Sequence, residues 1–179
     1  MKAWIPTLIR KCSLILATEA VIAVLLSYYA CYWTSFLYHF PIAKVAGLWG
    51  SISSILVLYA VNEDAFHAAK IRILGSIIGT ITPCVFLYIF GYNVFAFGCS
   101  IFFTIVVVSV AGLKDAFRTA CISLAVVIVV GSIHQPPLAP WLNASTRLLE
   151  SVIGVVVTMI VIFCFYPVRK YLNFFNPRV

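Results

Sequence analysis

Hydrophobic residues in this chain come in long unbroken runs, not in the spaced stripe of a surface helix. Six such runs lie near residues 13–34, 43–62, 71–91, 94–112, 116–133 and 148–166. A spanning helix needs ~20 mostly apolar residues, so the pattern predicts six transmembrane helices. The third and fourth are separated only by a tight turn at Gly91-Tyr92-Asn93. The first run, with its basic start, has the outline of a signal peptide. It carries Glu19, runs on past Ala30 and lacks an A-x-A cleavage site, so it reads as a first transmembrane helix.

Composition fixes the class. Of 179 residues, 64% are hydrophobic and only 9% charged, with mean hydropathy +1.11. A water-soluble domain needs more charge than that to cover its surface. The fold class is therefore all-α integral membrane protein, with a cytoplasmic segment at 1–12, a six-helix domain at 13–166 and a basic cytoplasmic tail at 167–179.

The net charge of +7 reads as topology and contact with anionic lipid, not as nucleic-acid binding. With the N-terminus inside, the inner segments hold Lys2, Arg10, Lys11, Lys70, Arg72, Lys114, Arg118, Arg169, Lys170 and Arg178. The outer segments hold only Lys44 and Arg147. That bias predicts cytoplasmic N- and C-termini. Tyr28, Tyr29, Tyr32, Trp33 and Trp141 then form an aromatic belt at the outer ends, and Asn143-Ala-Ser falls as a glycosylation triplet on an outer loop. The chain looks bacterial, where such a triplet has no meaning.

Catalytic chemistry finds no footing. Cys12, Cys31, Cys84, Cys99, Cys121 and Cys164 form no CxxC and read as small buried side chains. His39, His67 and His134 have no metal-ligand companion at suitable spacing. No nucleophile elbow, paired catalytic carboxylates, phosphate loop or dinucleotide fingerprint occurs. The expectation is a protein that is not an enzyme, with no metal and no cofactor.

The chain also repeats itself. RILGSIIGT, Arg72 to Thr80, recurs 75 residues later as RLLESVIGV, Arg147 to Val155. The same offset maps the first span onto the fourth and the second onto the fifth. Three spans per copy is an odd number, so the copies, at about 13–91 and 94–166, form a 3+3 inverted repeat. Arg72 then opens the third span at the cytoplasmic end, and Arg147 opens the sixth at the outer end. Arg72 alone also reads as a topology anchor. Arg147 lies on the side that positive charge avoids, which leaves a functional role or a local ion pair to Glu150 at i+3. Two arginines at opposite ends of symmetry-related helices would make a positive path for an anion.

Four further features stand out. Gly75 and Gly79 make a GxxxG pair, matched in the second copy by Gly154 alone, because Glu150 stands where Gly75 does; these glycines are expected to pack helices closely. Pro83 should kink the third span, with Thr80 and Thr82 satisfying the freed carbonyls. Kinked helices with polar residues at mid-membrane are candidate substrate sites, which places Gly79, Thr80 and Pro83 among the candidates. Glu19, an intramembrane carboxylate, is either a proton-coupling group or a solvated residue near the interface. Glu150 is the second proton-coupling candidate.

The run GLWGSISSILVL, followed by a short loop and RILGSIIGT, resembles the fusaric acid resistance and aromatic acid exporter family. The residues that carry the resemblance are Trp49-Gly50 and Arg72, Gly75, Ser76, Gly79 and Thr80, which fit R-x-x-G-[ST]-x-x-G-[AT], together with Arg147, Gly154 and Pro167 of the last span. It covers roughly residues 13–167. The resemblance implies a six-helix inner-membrane domain exporting organic anions such as hydroxylated aromatic acids. It also implies kinship to plant aluminium-activated malate transporters, dimeric anion channels in which the matching arginines line the path. Many members carry a large cytoplasmic domain or a duplicated unit, whereas only PVRKYLNFFNPRV follows the last span here. The expected partners are membrane lipid, a small organic anion and a second copy of the chain, with no nucleic acid. The leading expectation is an efflux permease in which Arg72 and Arg147 attract the carboxylate and Trp49 holds the ring. An anion channel on the same scaffold and a non-transporting subunit of a larger complex are the alternatives.

Overall fold

The computed structural model describes residues 14–38, 43–59, 65–133, 137 and 139–175. They form six helices: α1 (Leu14–Leu37), α2 (Ala43–Tyr59), α3 (Ala65–Phe90), α4 (Val94–Val110), α5 (Phe117–Ile133) and α6 (Pro140–Phe175), with a 3-10 turn at Lys114–Ala116 before α5. Backbone groups in hydrocarbon must be satisfied within their own segment, and apolar runs therefore close into helices. The α3–α4 turn works as its residues predict. Gly91 takes a φ of 71°, which favours glycine. The Asn93 side chain then accepts from the Ala96 N–H at 2.7 Å to cap α4.

Four segments are long and apolar enough to cross a membrane: Leu16–Leu37, Ala65–Phe90, Lys114–Ile133 and Pro140–Val168. Helices α2 and α4, 17 residues each and without the 3-10 turn that lengthens α5, extend only about 26 Å, short of the ~30 Å hydrocarbon core. The expectation of an all-helical multi-pass protein therefore holds, and the count of six spans is met by four segments outright.

Successive helices alternate in direction. Ser27 meets Ser54, and Ala23 clusters with Leu58, so α1 and α2 run antiparallel. Trp49 touches Arg147 and Ser151, while Val57 clusters with Val155, so α2 and α6 run parallel. Gly75 faces Thr119, Gly79 faces Ala120, and Leu87 clusters with Leu124 and Val127, so α3 and α5 run parallel. Helices α3 and α6 are central: α3 packs on α2, α4, α5 and α6, and α6 packs on α1, α2, α3 and α5.

The packing is that of a membrane bundle. Large apolar side chains such as Tyr29, Trp33, Phe36, Phe95, Phe102 and Phe163 face outward. The interior is rich in small and hydroxylated residues, among them Ser27, Ser53, Ser54, Thr104, Ser123 and Thr158. Several hydroxyls satisfy themselves on their own helix. Thr158 donates to the Gly154 carbonyl at 2.7 Å and Ser100 to the Ala96 carbonyl at 2.7 Å.

Four expectations need correction. Helix α3 starts at Ala65 and α6 at Pro140, earlier than the apolar runs suggest. The arginines therefore do not open their helices. Each lies seven residues, about 10 Å, inside. Proline at the first helical position suits Pro140, since its missing N–H has no partner there in any case, so α6 extends upstream through Asn143. That asparagine is buried, with its Nδ2 donating to the Val127 carbonyl at 2.6 Å, and is not on a loop. Pro167 lies inside α6 and does not end it. Finally, Thr80 donates to the Ser76 and Ile77 carbonyls and Thr82 to that of Ile78, so neither reaches the Gly79 carbonyl that Pro83 frees. Lys2, Arg10, Lys11, Cys12, His39, His134 and Arg178 lie outside the described residues.

Candidate functional site

The site forms where α2, α3 and α6 meet, and its residues follow from local register. Trp49 and Ser53 are four apart on α2, on one face. Ser53 is held by donating to the Trp49 carbonyl at 3.1 Å. Its lone pair is thereby left to accept from Arg72 Nη2 at 2.9 Å. The Arg72 guanidinium lies over the Trp49 indole, 5.1 Å from the ring centroid, as a cation attracted to an aromatic face. Arg72 is 2% exposed. Its Nε and Nη1 have no hydrogen-bond partner among the described residues.

Trp49 links α2 and α3 to α6. While its face carries Arg72, its Nε1 donates to the Arg147 carbonyl at 3.2 Å and to Ser151 Oγ at 3.0 Å. Arg147 does not share the state of Arg72. Its Nη1 sits 2.6 Å from Glu150 Oε2, both side chains being almost fully buried. The i+3 spacing foreseen as a local pair is thus the geometry found. Glu150 thus stands as the counter-ion of Arg147, and among the described residues no carboxylate is paired with Arg72.

Glycines make the cluster possible. A Cβ on Gly154 would stand 2.6 Å from the Gly50 carbonyl oxygen and 2.9 Å from Ser53 Cβ. On Gly75 it would stand 2.7 Å from Thr119 Cγ2, and on Gly79 it would press into the Ala120 carbonyl. Close approach at these points brings α6 onto α2 and α3 onto α5. Cys31 on α1 donates to the Glu150 carbonyl at 3.5 Å, and the Ser54 hydroxyl reaches Ser27 and the Gly50 and Gly154 carbonyls.

Of the predicted site residues, Arg72, Arg147, Trp49 and Glu150 come together. Thr80 and Pro83 are buried on the α3 face that carries Arg72, two and three turns further on. Glu19 is fully buried, not solvated, on the turn of α1 whose Ala20 and Ala23 pack with Leu58 and Val161. Sequence reasoning missed Ser53 and Ser151. The signal for Ser151 was present, since a serine follows each repeat arginine by four residues, at Ser76 and at Ser151.

The sequence profile described as aromatic acid exporter family member 1 matches residues 15–165, which include every residue of this cluster. The chain belongs to the aromatic acid exporter family. No curated protein and no solved structure matches it. This family is one of membrane exporters and not of enzymes, in keeping with a site built from an arginine, an indole and hydroxyls. Among the described residues no group of His, Cys, Asp and Glu is arranged to hold a metal ion.

Proposed function

We propose that this chain is an efflux permease of the bacterial inner membrane for amphipathic organic anions, aromatic carboxylic acids among them. The observation that carries the proposal is Arg72, a buried cation held by Ser53 and Trp49 with two nitrogens open. A guanidinium binds a carboxylate through two parallel N–H groups on one edge; the second N–H of Nη2, paired with the unpartnered Nε or Nη1, receives the carboxylate while the substrate ring lies against apolar groups near Trp49.

In this reading all six helices cross the membrane as an inverted repeat, with both termini cytoplasmic. Shifting the chain by 75 residues carries the start of α3 onto the start of α6 and α2 to within one residue of α5. Exchanging the first three helices for the last three also turns each principal helix contact into another that is present. These regularities support the repeat, and the basic inner segments support the orientation. The two arginines then stand about 10 Å from opposite ends, Arg72 receiving the anion and Arg147 held in its pair with Glu150, and the anion is passed across as the halves rock. Glu19 is the proposed carrier of a coupled proton, and the working unit is a homodimer.

The test is anion flux into proteoliposomes containing the purified chain, with 4-hydroxybenzoate, malate and chloride gradients, with and without a proton gradient. Proton-linked flux of the aromatic acid that Arg72→Gln abolishes supports the permease. Arginine-dependent current without proton linkage assigns a channel. No flux of any anion defeats the reading and turns the search to a larger complex.

A further inference from the structure

We infer that Glu150 fixes the charge of the transported anion at one, so that the protein takes monocarboxylates and rejects dicarboxylates of similar size; the inference rests on the anion reading above. The repeat supplies two arginines but one open charge. At i+3 from Arg147 stands Glu150, at ion-pair distance. At i+3 from Arg72 stands Gly75, seated against Thr119 and the Ala116 carbonyl with no room for a carboxylate. With Glu150 as the counter-ion of Arg147, the buried charge of the cluster left without a partner is that of Arg72.

The pair is held in place from outside. Cys31 on α1 donates to the Glu150 carbonyl, and Trp49 on α2 donates to the Arg147 carbonyl and to Ser151. That turn of α6 is thus tied at three points, which fixes where its backbone sits and keeps the buried Glu150 side chain beside Arg147. The other buried carboxylate, Glu19, belongs to a different layer. It lies eight residues before Ser27, which marks the cluster's level on α1, and so about 12 Å along the helix axis.

A monoanion arriving at Arg72 makes the site neutral. A dianion brings a second carboxylate with no free cation to meet it, and an uncompensated charge in a buried site is strongly disfavoured. Specificity of this kind arises as much from the repulsive element as from the attractive one. Freeing Arg147 would supply the missing charge.

The experiment compares 4-hydroxybenzoate with terephthalate, which share a ring and para geometry but differ by one charge. The purified full chain is reconstituted and flux is measured for the wild type, Glu150→Gln and Glu150→Asp. The wild type is expected to prefer 4-hydroxybenzoate by about tenfold or more, Glu150→Gln to shift that ratio by about tenfold toward terephthalate, and Glu150→Asp to keep the wild-type preference. Equal wild-type flux of the two anions overturns the inference even if the variants do not fold. An unchanged ratio in a transporting Glu150→Gln protein overturns it too. Absence of wild-type flux for both anions overturns the anion reading beneath it, and is distinct from either result.

Discussion

Arg72 and Trp49 form a cation–π pair across two helices, with the guanidinium carbon 5.1 Å from the indole centroid. The same indole holds the Arg147 carbonyl through its N–H. One side chain of α2 therefore sets the position of an α3 charge against the α6 backbone, and its two attachments can be separated by mutation.

Arg72→Lys keeps the charge and loses the planar fork. A lysine ammonium cannot hold Ser53, cover the indole and still present two parallel donors. Flux of 4-hydroxybenzoate is expected to fall by about tenfold, or ~1.4 kcal/mol of lost transition-state stabilisation. Membrane insertion should be unchanged. Wild-type flux in this variant would show that charge alone suffices.

Trp49→Phe keeps an aromatic face for Arg72 but removes the donor to Arg147 and Ser151. A net hydrogen bond is worth about 1 kcal/mol, so the unfolding midpoint in detergent should drop modestly while transport persists. Trp49→Leu removes both attachments and should lose transport as well. Equal flux in the two variants would separate the ring from the function.

Much of this arrangement was legible in the sequence, and the limits have physical causes. Apolar runs revealed the helices because a membrane demands them. The recurrence of RILGSIIGT as RLLESVIGV drew attention to Arg72 and Arg147 together. The starts of α3 and α6 were misplaced because His67 and Lys70, or Asn143 and Thr146, look polar in a hydropathy reading. On α6 their hydrogen bonds make them acceptable, Asn143 holding the Val127 carbonyl of α5 and Thr146 the Asn143 carbonyl of its own helix; on α3, His67 and Lys70 are exposed. Ser53 stayed hidden because a serine in an apolar helix announces no direction. Only the meeting of α2 with α3 shows that it faces Arg72.

The glycines offer a comparison within one molecule. A side chain at Gly79 meets the Ala120 backbone, which cannot yield, whereas a side chain at Gly98 meets nothing within 4 Å. Gly79→Ala should destabilise by about 1–3 kcal/mol through overpacking. Gly98→Ala, mid-helix in open space, should be neutral or stabilising by up to ~1 kcal/mol. Thermal unfolding of both variants in the same detergent reads the difference directly.

Orientation is tested at two exposed positions on opposite ends of the bundle. Val94 begins α4 beside the Gly91 turn, and Asp115 lies in the 3-10 turn before α5. Because α4 joins these two turns, a crossing α4 puts them on opposite sides of the membrane. The basic residues Lys114 and Arg118 flank Asp115, so the positive-inside tendency places that turn in the cytoplasm. In a cysteine-free background, Val94→Cys should react with an impermeant maleimide on intact cells, and Asp115→Cys only after permeabilisation. The reverse pattern would invert the bundle. Labelling of both from one side would mean that α4, at 17 residues, enters the membrane without crossing it, and the count of crossings would fall from six.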